Sequence, residues 1–164
     1  MEQAERARRY LERVRNAYAG VPYRDDGREY YGDDIYTFFV HCHHIGDWIV
    51  ALSLVGVTQK QVSALIDSHI ELRICADLCN GAKHCKLTRR TRLDSQPHVA
   101  TARLTSLGVF RAVELPSGET ELTGGTSQCE FTVLADGESY DALDLAEACM
   151  SLWDDFIAQI GVTS

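Results

Sequence analysis

The chain has 164 residues, a formal net charge of −8 and 45% hydrophobic side chains. That length suits one domain with a hydrophobic core, and three prolines with a charged fraction of 24% exclude long disordered segments. The acidic average disfavours indiscriminate phosphate binding. No run approaches the roughly 18 apolar residues of a membrane span, and Met-Glu-Gln-Ala-Glu-Arg lacks an apolar signal region, so we expect a cytoplasmic chain without membrane contact.

Apolar residues recur at helical spacing in five segments of the chain. The pattern predicts helices over residues 2–19, 34–54, 59–67, 69–86 and 141–160. Asp33 or Asp34 is expected to cap the second helix and Asp141 the last, while Thr58 and Gln61 have the spacing of a reciprocal capping box. The polar stretch 23–32 is predicted to be a loop.

Between the fourth and fifth helices the hydrophobic period changes from about 3.6 toward 2. Four short strands are predicted there: Val99–Leu104, Val109–Leu115, Glu119–Leu122 and Cys129–Leu134. The expected fold class is mainly α (α+β), one domain over residues 1–164. It is an antiparallel bundle of about five helices, with a small antiparallel β-meander (98–135) inserted between helices four and five.

The fourth predicted helix carries a line of chemically active side chains. At 100° per residue, one face holds four of them within about 60°: Arg73, Asp77, Asn80 and His84. Imidazole suits proton transfer near neutral pH, and guanidinium stabilises charge on a phosphate. These are candidate catalytic residues, and a solvated helix face is the alternative. Gly81 is a poor helix residue and needs a packing or ligand-approach reason.

The second helix adds His44 and Asp47, which are neighbours at i and i+3. Asp47 is expected to orient His44 toward His84 on the neighbouring helix, which makes both further candidate catalytic residues. A solvated histidine at the edge of the bundle is the alternative.

A basic run follows the candidate site. Between Arg73 and Arg92 there are six basic residues against one acid, Asp77, and the rest of the chain has a net charge of −13. The candidate nucleic-acid-binding residues are Lys83, Lys86, Arg89 and Arg90. A solvated edge is the alternative.

Histidines and cysteines are numerous enough to suggest zinc or iron. The potential ligands are His41, His43, His44, Cys75, Cys79, His84 and Cys85. Their spacing lacks the Cys-x-x-Cys pairs of structural zinc sites, and most cysteines lie on predicted apolar faces, where a reduced thiol packs as a small hydrophobe. We therefore predict no cofactor and no metal site. Zinc or iron bound through His41 or His44 with His84 is the alternative.

The motif Cys79-Asn-Gly-Ala-Lys-His84 resembles the signature of the HEPN superfamily. In that signature an arginine and a polar residue precede a histidine by five and four positions. Asn80 matches the polar residue and His84 the histidine, while Cys79 stands at the arginine position. The segment is also similar to small bacterial and phage proteins with an Asn-Gly-Ser/Ala-Lys-His motif and an upstream His-x-x-Asp-Trp, matched by His44, Asp47 and Trp48.

The resemblance implies a helical bundle that binds RNA or cleaves it without metal. It also implies a homodimer of a bacterial or phage defence or toxin-antitoxin type. In such a ribonuclease His84 would handle the transferred proton, and Arg73 or Lys83 would stabilise the phosphorane charge. Cys79 in place of arginine favours an alternative, a non-catalytic protein-interaction module such as an antitoxin or a phage inhibitor. A His-rich metal-binding protein is the second alternative.

Overall fold

The computed structural model describes residues 1–24, 26–52, 56–83 and 91–161, except for the side chains of Lys83 and Thr101. The helices in these ranges are α1 (Glu2–Ala19), α2 (Gly27–Ala51), α3 (Gln59–Ser68), α4 (Ile70–Lys83) and α5 (Ala142–Gln159). The strands are β1 (Val21–Pro22), β2 (His98–Glu114), β3 (Thr120–Ala135) and β4 (Glu138–Asp141). Within the same ranges, no helix combines the length and apolarity needed to cross a membrane.

The helices pack through the apolar stripes that their sequences contain. Four small or branched residues of α1 are buried: Ala4, Ala7, Leu11 and Val14. The seam of α2 is fully buried along Ile35, Phe38, Cys42, Ile45 and Ile49. The capping box predicted at Thr58 and Gln61 is confirmed at the start of α3, and the Asp141 carboxylate accepts the first free backbone N–H groups of α5.

The start of α2 differs from the prediction. The helix begins at Gly27, so the predicted loop over 23–32 and the predicted cap at Asp33 or Asp34 are wrong. The first two turns are polar on one side, yet Gly27, Tyr31 and Asp34 are buried at helical spacing. Asp34 lies inside the helix, where its carboxylate pairs with the Arg13 guanidinium at 2.9 Å.

The predicted fold class is also wrong, because the β-structure is a central sheet and not a small insertion. The strand order is β1-β3-β2, with β4 also paired to β3, and all pairs described are antiparallel. The strands β2 and β3 have 17 and 16 residues. The strand β1 comes from the connection between α1 and α2 and pairs Val21 with Ser127. The sheet therefore includes a segment from the N-terminal part of the chain as well as the later hairpin.

Glycines explain why the sequence predicted four short strands where the structure has two long ones. The pairing of β2 with β3 shifts register between Leu107 and Phe110, as a β-bulge does. Gly108, Gly124 and Gly125 all have positive φ there, and a Cβ on Gly124 would lie 2.8 Å from the Val109 carbonyl oxygen. The strands therefore continue through glycines that the sequence pattern suggested were breaks.

The inner face of β3 forms the boundary of the core. Cys129, Phe131, Val133 and Ala135 alternate along the strand and are buried. The Tyr18 hydroxyl on α1 donates to the Phe131 carbonyl at 3.0 Å and accepts from the Phe131 N–H at 2.9 Å. This pair of hydrogen bonds fixes α1 against the sheet.

The far half of the β2–β3 hairpin extends beyond the core. We call residues 103–126 the arm, and none of them is buried. Near its base, the rings of Phe110 and Tyr23 meet edge to face, with centroids 5.0 Å apart. The rest of the arm is a two-stranded ribbon exposed on both faces.

Candidate functional site

Asp77, a candidate catalytic residue, serves as an acceptor for the backbone. Its side chain is on α4 and the residue is 1% exposed. The carboxylate oxygen Oδ2 accepts the N–H groups of Arg92 and Leu93 at 2.7 and 2.9 Å. Burial raises the pKa of this carboxyl, while the two amide donors favour the ionised form. The geometry holds the chain that returns from α4 against that helix.

Arg73 lies one turn before Asp77 and is partly buried. Its Nε is fully buried and makes no hydrogen bond of normal geometry. Its positive charge contributes to lowering the pKa of Asp136, although the larger cause is the Ser95 backbone N–H, which donates to that carboxylate at 2.8 Å. Arg73 therefore contributes its charge to the connection before β2.

Asn80 is partly exposed near the end of α4, beside Gly81. A Cβ on Gly81 would lie 2.4 Å from the Gln96 nitrogen, the far end of a flexible, exposed side chain, so a larger residue here would displace Gln96. A cavity of about 330 Å³ opens here between α2, α4 and the start of β2. Its lining includes Tyr36, Gly81, Gln96 and His98.

The remaining residues of the fourth-helix prediction fall where the structure gives no side chains. His84, Lys86, Arg89 and Arg90 lie outside the described residues, and Lys83 is described only through its backbone. The described residues on either side of this basic segment are Lys83, at the end of α4, and Arg92, whose N–H is bound by Asp77.

His44 and Asp47 occupy neighbouring positions on the outer side of α2. The Nε2 of His44 lies 3.9 Å from the Asp47 carboxylate, and the His44 Nδ1 lies 2.6 Å from the Val40 carbonyl oxygen. The Asp47 side chain is 58% exposed. The pair is positioned by α2 itself, and its predicted partner, His84, is outside the described residues.

His41 lies in the seam between α1 and α2. Its ring stacks on Tyr10 with centroids 5.1 Å apart, and the Gln3 amide donates to the His41 carbonyl at 2.9 Å. Burial lowers the pKa of His41, and the nearby Arg6 and Arg9 guanidinium groups lower it further, so both effects favour the neutral imidazole.

The cysteines form a cluster that the sequence spacing did not indicate. All five described cysteines are reduced thiols, and all are buried. The sulfur atoms of Cys42, Cys75 and Cys149 lie within 4.8 Å of one another. The cluster is a second candidate site, formed where α2, α4 and α5 meet.

The arm concentrates the exposed apolar surface. Seven large hydrophobic side chains are exposed in the described residues, and five of them lie in the arm: Leu104, Leu107, Val109, Val113 and Leu122. Val109 is 82% exposed. The strand β2 is also at the edge of the sheet, so its outer backbone groups can pair with another strand beyond Val99, whose N–H donates to the Tyr36 hydroxyl at 3.3 Å.

No protein-family model, curated protein or solved structure matches the chain. The resemblance to the HEPN superfamily therefore stays a prediction.

The thiol cluster and the arm were not predicted from the sequence. The signal for the thiol cluster was present, because Cys42 and Cys149 each lie on the apolar stripe of their helix. The signal for the arm was an alternating pattern whose apolar residues continue on both sides of Gly108. Neither pattern indicates whether a side chain is buried or exposed.

Proposed function

We propose that this chain is a protein-interaction module whose recognition element is the arm. The single observation that carries the proposal is the density of exposed apolar side chains on a two-stranded ribbon that contributes nothing to the core. Exposed apolar side chains concentrated in one segment of a folded chain are typical of interaction sites.

The edge of β2 supports the same proposal. Long exposed edges invite uncontrolled pairing, and proteins usually protect them with lysine, proline or short length. The strand β2 has 17 residues and no lysine or proline. An edge with these properties suits an extended segment of a partner, which would add a strand through main-chain hydrogen bonds and place apolar side chains against Leu107 and Val109.

An isolated two-stranded hairpin gains little stability from its own contacts in water. The arm has few apolar contacts in the monomer, such as that of Phe110 with Tyr23, and it gains more when another surface covers it. Binding therefore stabilises the arm as well as the complex.

The test is affinity purification from the native host, with quantitative comparison of the proteins recovered. Leu107→Lys should reduce recovery of a stoichiometric partner at least tenfold, because a buried lysine at the interface leaves an unpaired charge. Leu52→Lys is the matched control, since Leu52 and Leu107 are both 53% exposed and only Leu107 is in the arm. Equal recovery by the two variants would contradict the proposal.

A second candidate is the RNA-binding or RNA-cleaving function implied by the HEPN resemblance. It is supported by Asp77, which holds Arg92 beside α4 and so keeps the end of the basic run near Asn80. His84→Ala should abolish cleavage of RNA and leave the thermal midpoint nearly unchanged. Retained cleavage would remove the catalytic hypothesis.

A further inference from the structure

Three thiols from distant parts of the chain meet in the interior of the helical layer. Cys42 is on α2, Cys75 on α4 and Cys149 on α5, and each residue is at most 1% exposed. Their sulfur atoms all lie within 4.8 Å of one another. The fold alone creates this arrangement, because 33 residues separate the first two cysteines and 74 separate the last two.

The spacing of the sulfur atoms suits one metal ion. Thiolate sulfur lies about 2.3 Å from zinc, so three sulfurs around one ion are separated by about 4 Å. The observed separations are within 4.8 Å, and small side-chain rotations bring the sulfurs to that distance. Sulfur ligands select soft ions such as Zn(II) and Cu(I).

A buried donor provides an independent indication. The indole Nε1 of Trp153 is fully buried and makes no hydrogen bond of normal geometry. It lies near the Cys42 sulfur. A metal-bound thiolate at Cys42 accepts this N–H, whereas a neutral thiol is a weak acceptor.

Gly46 leaves the space that the Trp153 ring occupies. A Cβ on this residue would lie 2.9 Å from the indole ring and 2.6 Å from Val62. The glycine therefore lets the ring pack against α2, one turn after Cys42. This is the kind of support that a metal ligand receives from its surroundings.

We propose that Cys42, Cys75 and Cys149 bind one thiophilic metal ion, Zn(II) or Cu(I), inside the helical layer. Binding forms three metal–sulfur bonds and releases the thiol protons to solvent, with no change in oxidation state. The S–H groups of Cys75 and Cys149 donate to the Phe39 and Glu71 carbonyls at 3.5 and 3.3 Å, and binding replaces these two weak hydrogen bonds. Because the thiols lose their protons when they bind the ion, its uptake strengthens as the pH rises.

The experiment is a titration of the reduced, metal-free protein with Cd(II), whose bonds to thiolate absorb in the near ultraviolet. The absorption should saturate at one ion per chain, and the ion should raise the thermal midpoint. Cys42→Ser and Cys149→Ser should each weaken binding at least tenfold. Cys129→Ser is the matched control, because Cys129 is equally buried but lies on β3, outside the cluster.

Two further measurements complete the test. Competition of Zn(II) and of Cu(I) against Cd(II) identifies the preferred ion, and Cys42→Ala and Cys149→Ala replace any serine variant that does not fold. The proposal is overturned if no saturating absorption develops. It is also overturned if the variants of the cluster bind as well as Cys129→Ser does.

Discussion

The Asp77 carboxylate illustrates how one buried side chain supports a connection between elements. It accepts two backbone N–H groups, so Asp77→Ala should lower the free energy of unfolding by roughly 2 to 6 kcal/mol, since each donor left without a partner costs about 1 to 3 kcal/mol. Urea denaturation measures the change. Asp67→Ala is the control, because the Asp67–Arg92 ion pair is exposed and should change stability by less than about 1 kcal/mol. Equal effects would contradict this role.

Tyr18 provides a second test with one residue. Burial raises the pKa of Tyr18 to about 12, although the Phe131 backbone opposes this shift. Its stabilising contribution is full below the unfolded pKa of about 10 and is lost as the pH rises through about 12. Spectroscopic titration should show Tyr18 among the last of the seven tyrosines to ionise, and Tyr18→Phe should remove its share of the late absorbance change. A titration unchanged by the substitution would show that another tyrosine is responsible.

The chemistry of the residues was easier to predict than their surroundings. The sequence places Arg73, Asp77 and Asn80 on one helix, but the burial of Asp77 depends on Arg92 and Leu93, which approach from a connection with no periodic pattern. The sequence predicted a close neighbour or a ligand at Gly81, but it did not indicate that the neighbour is Gln96. Contacts between segments without regular structure have no signature in the local sequence.

At the scale of elements, alanine substitutions at two glycines of α2 should change stability in opposite directions. Gly46→Ala would overpack the space between Val62 and Trp153 and should cost about 1 to 3 kcal/mol of stability. At Gly32 the nearest atom to an added Cβ is a Phe131 ring carbon at 3.7 Å, which is ordinary contact. Gly32→Ala should therefore raise stability by up to about 1 kcal/mol through helix propensity. Thermal unfolding of both variants measures the difference, and a reversed order would refute the packing described around Trp153.

The helices were predictable because their apolar stripes repeat over several turns. The structure has a helix over each of the five predicted ranges, and the largest difference is the early start of α2. The strands were predicted too short, because glycines at a bulge have the same sequence signal as glycines in a turn. The two-residue strand β1 is below the length at which alternation can be recognised, so its role in the sheet was missed.

At the scale of the whole molecule, the core and the arm are separable. No arm residue belongs to the buried core. The arm is removed, apart from residues 103–106, by replacing residues 107–126 with Asn-Gly, which should close a hairpin between Ser106 and Ser127, a pair in the sheet. The thermal midpoint should shift by less than about 4 °C, the equivalent of about 1 kcal/mol for a chain of this size. A larger loss would show that the arm supports the fold.

The most direct measurement of the central claim is the mass and absorbance of the complex that the chain forms in its host. Light scattering after size exclusion gives the mass, and the ratio of absorbance at 260 nm to that at 280 nm reports nucleic acid. The intact chain should elute with one protein partner in fixed ratio and without nucleic acid, and the chain that lacks the arm should elute alone. A complex that persists without the arm, or a partner that is RNA, would contradict the account.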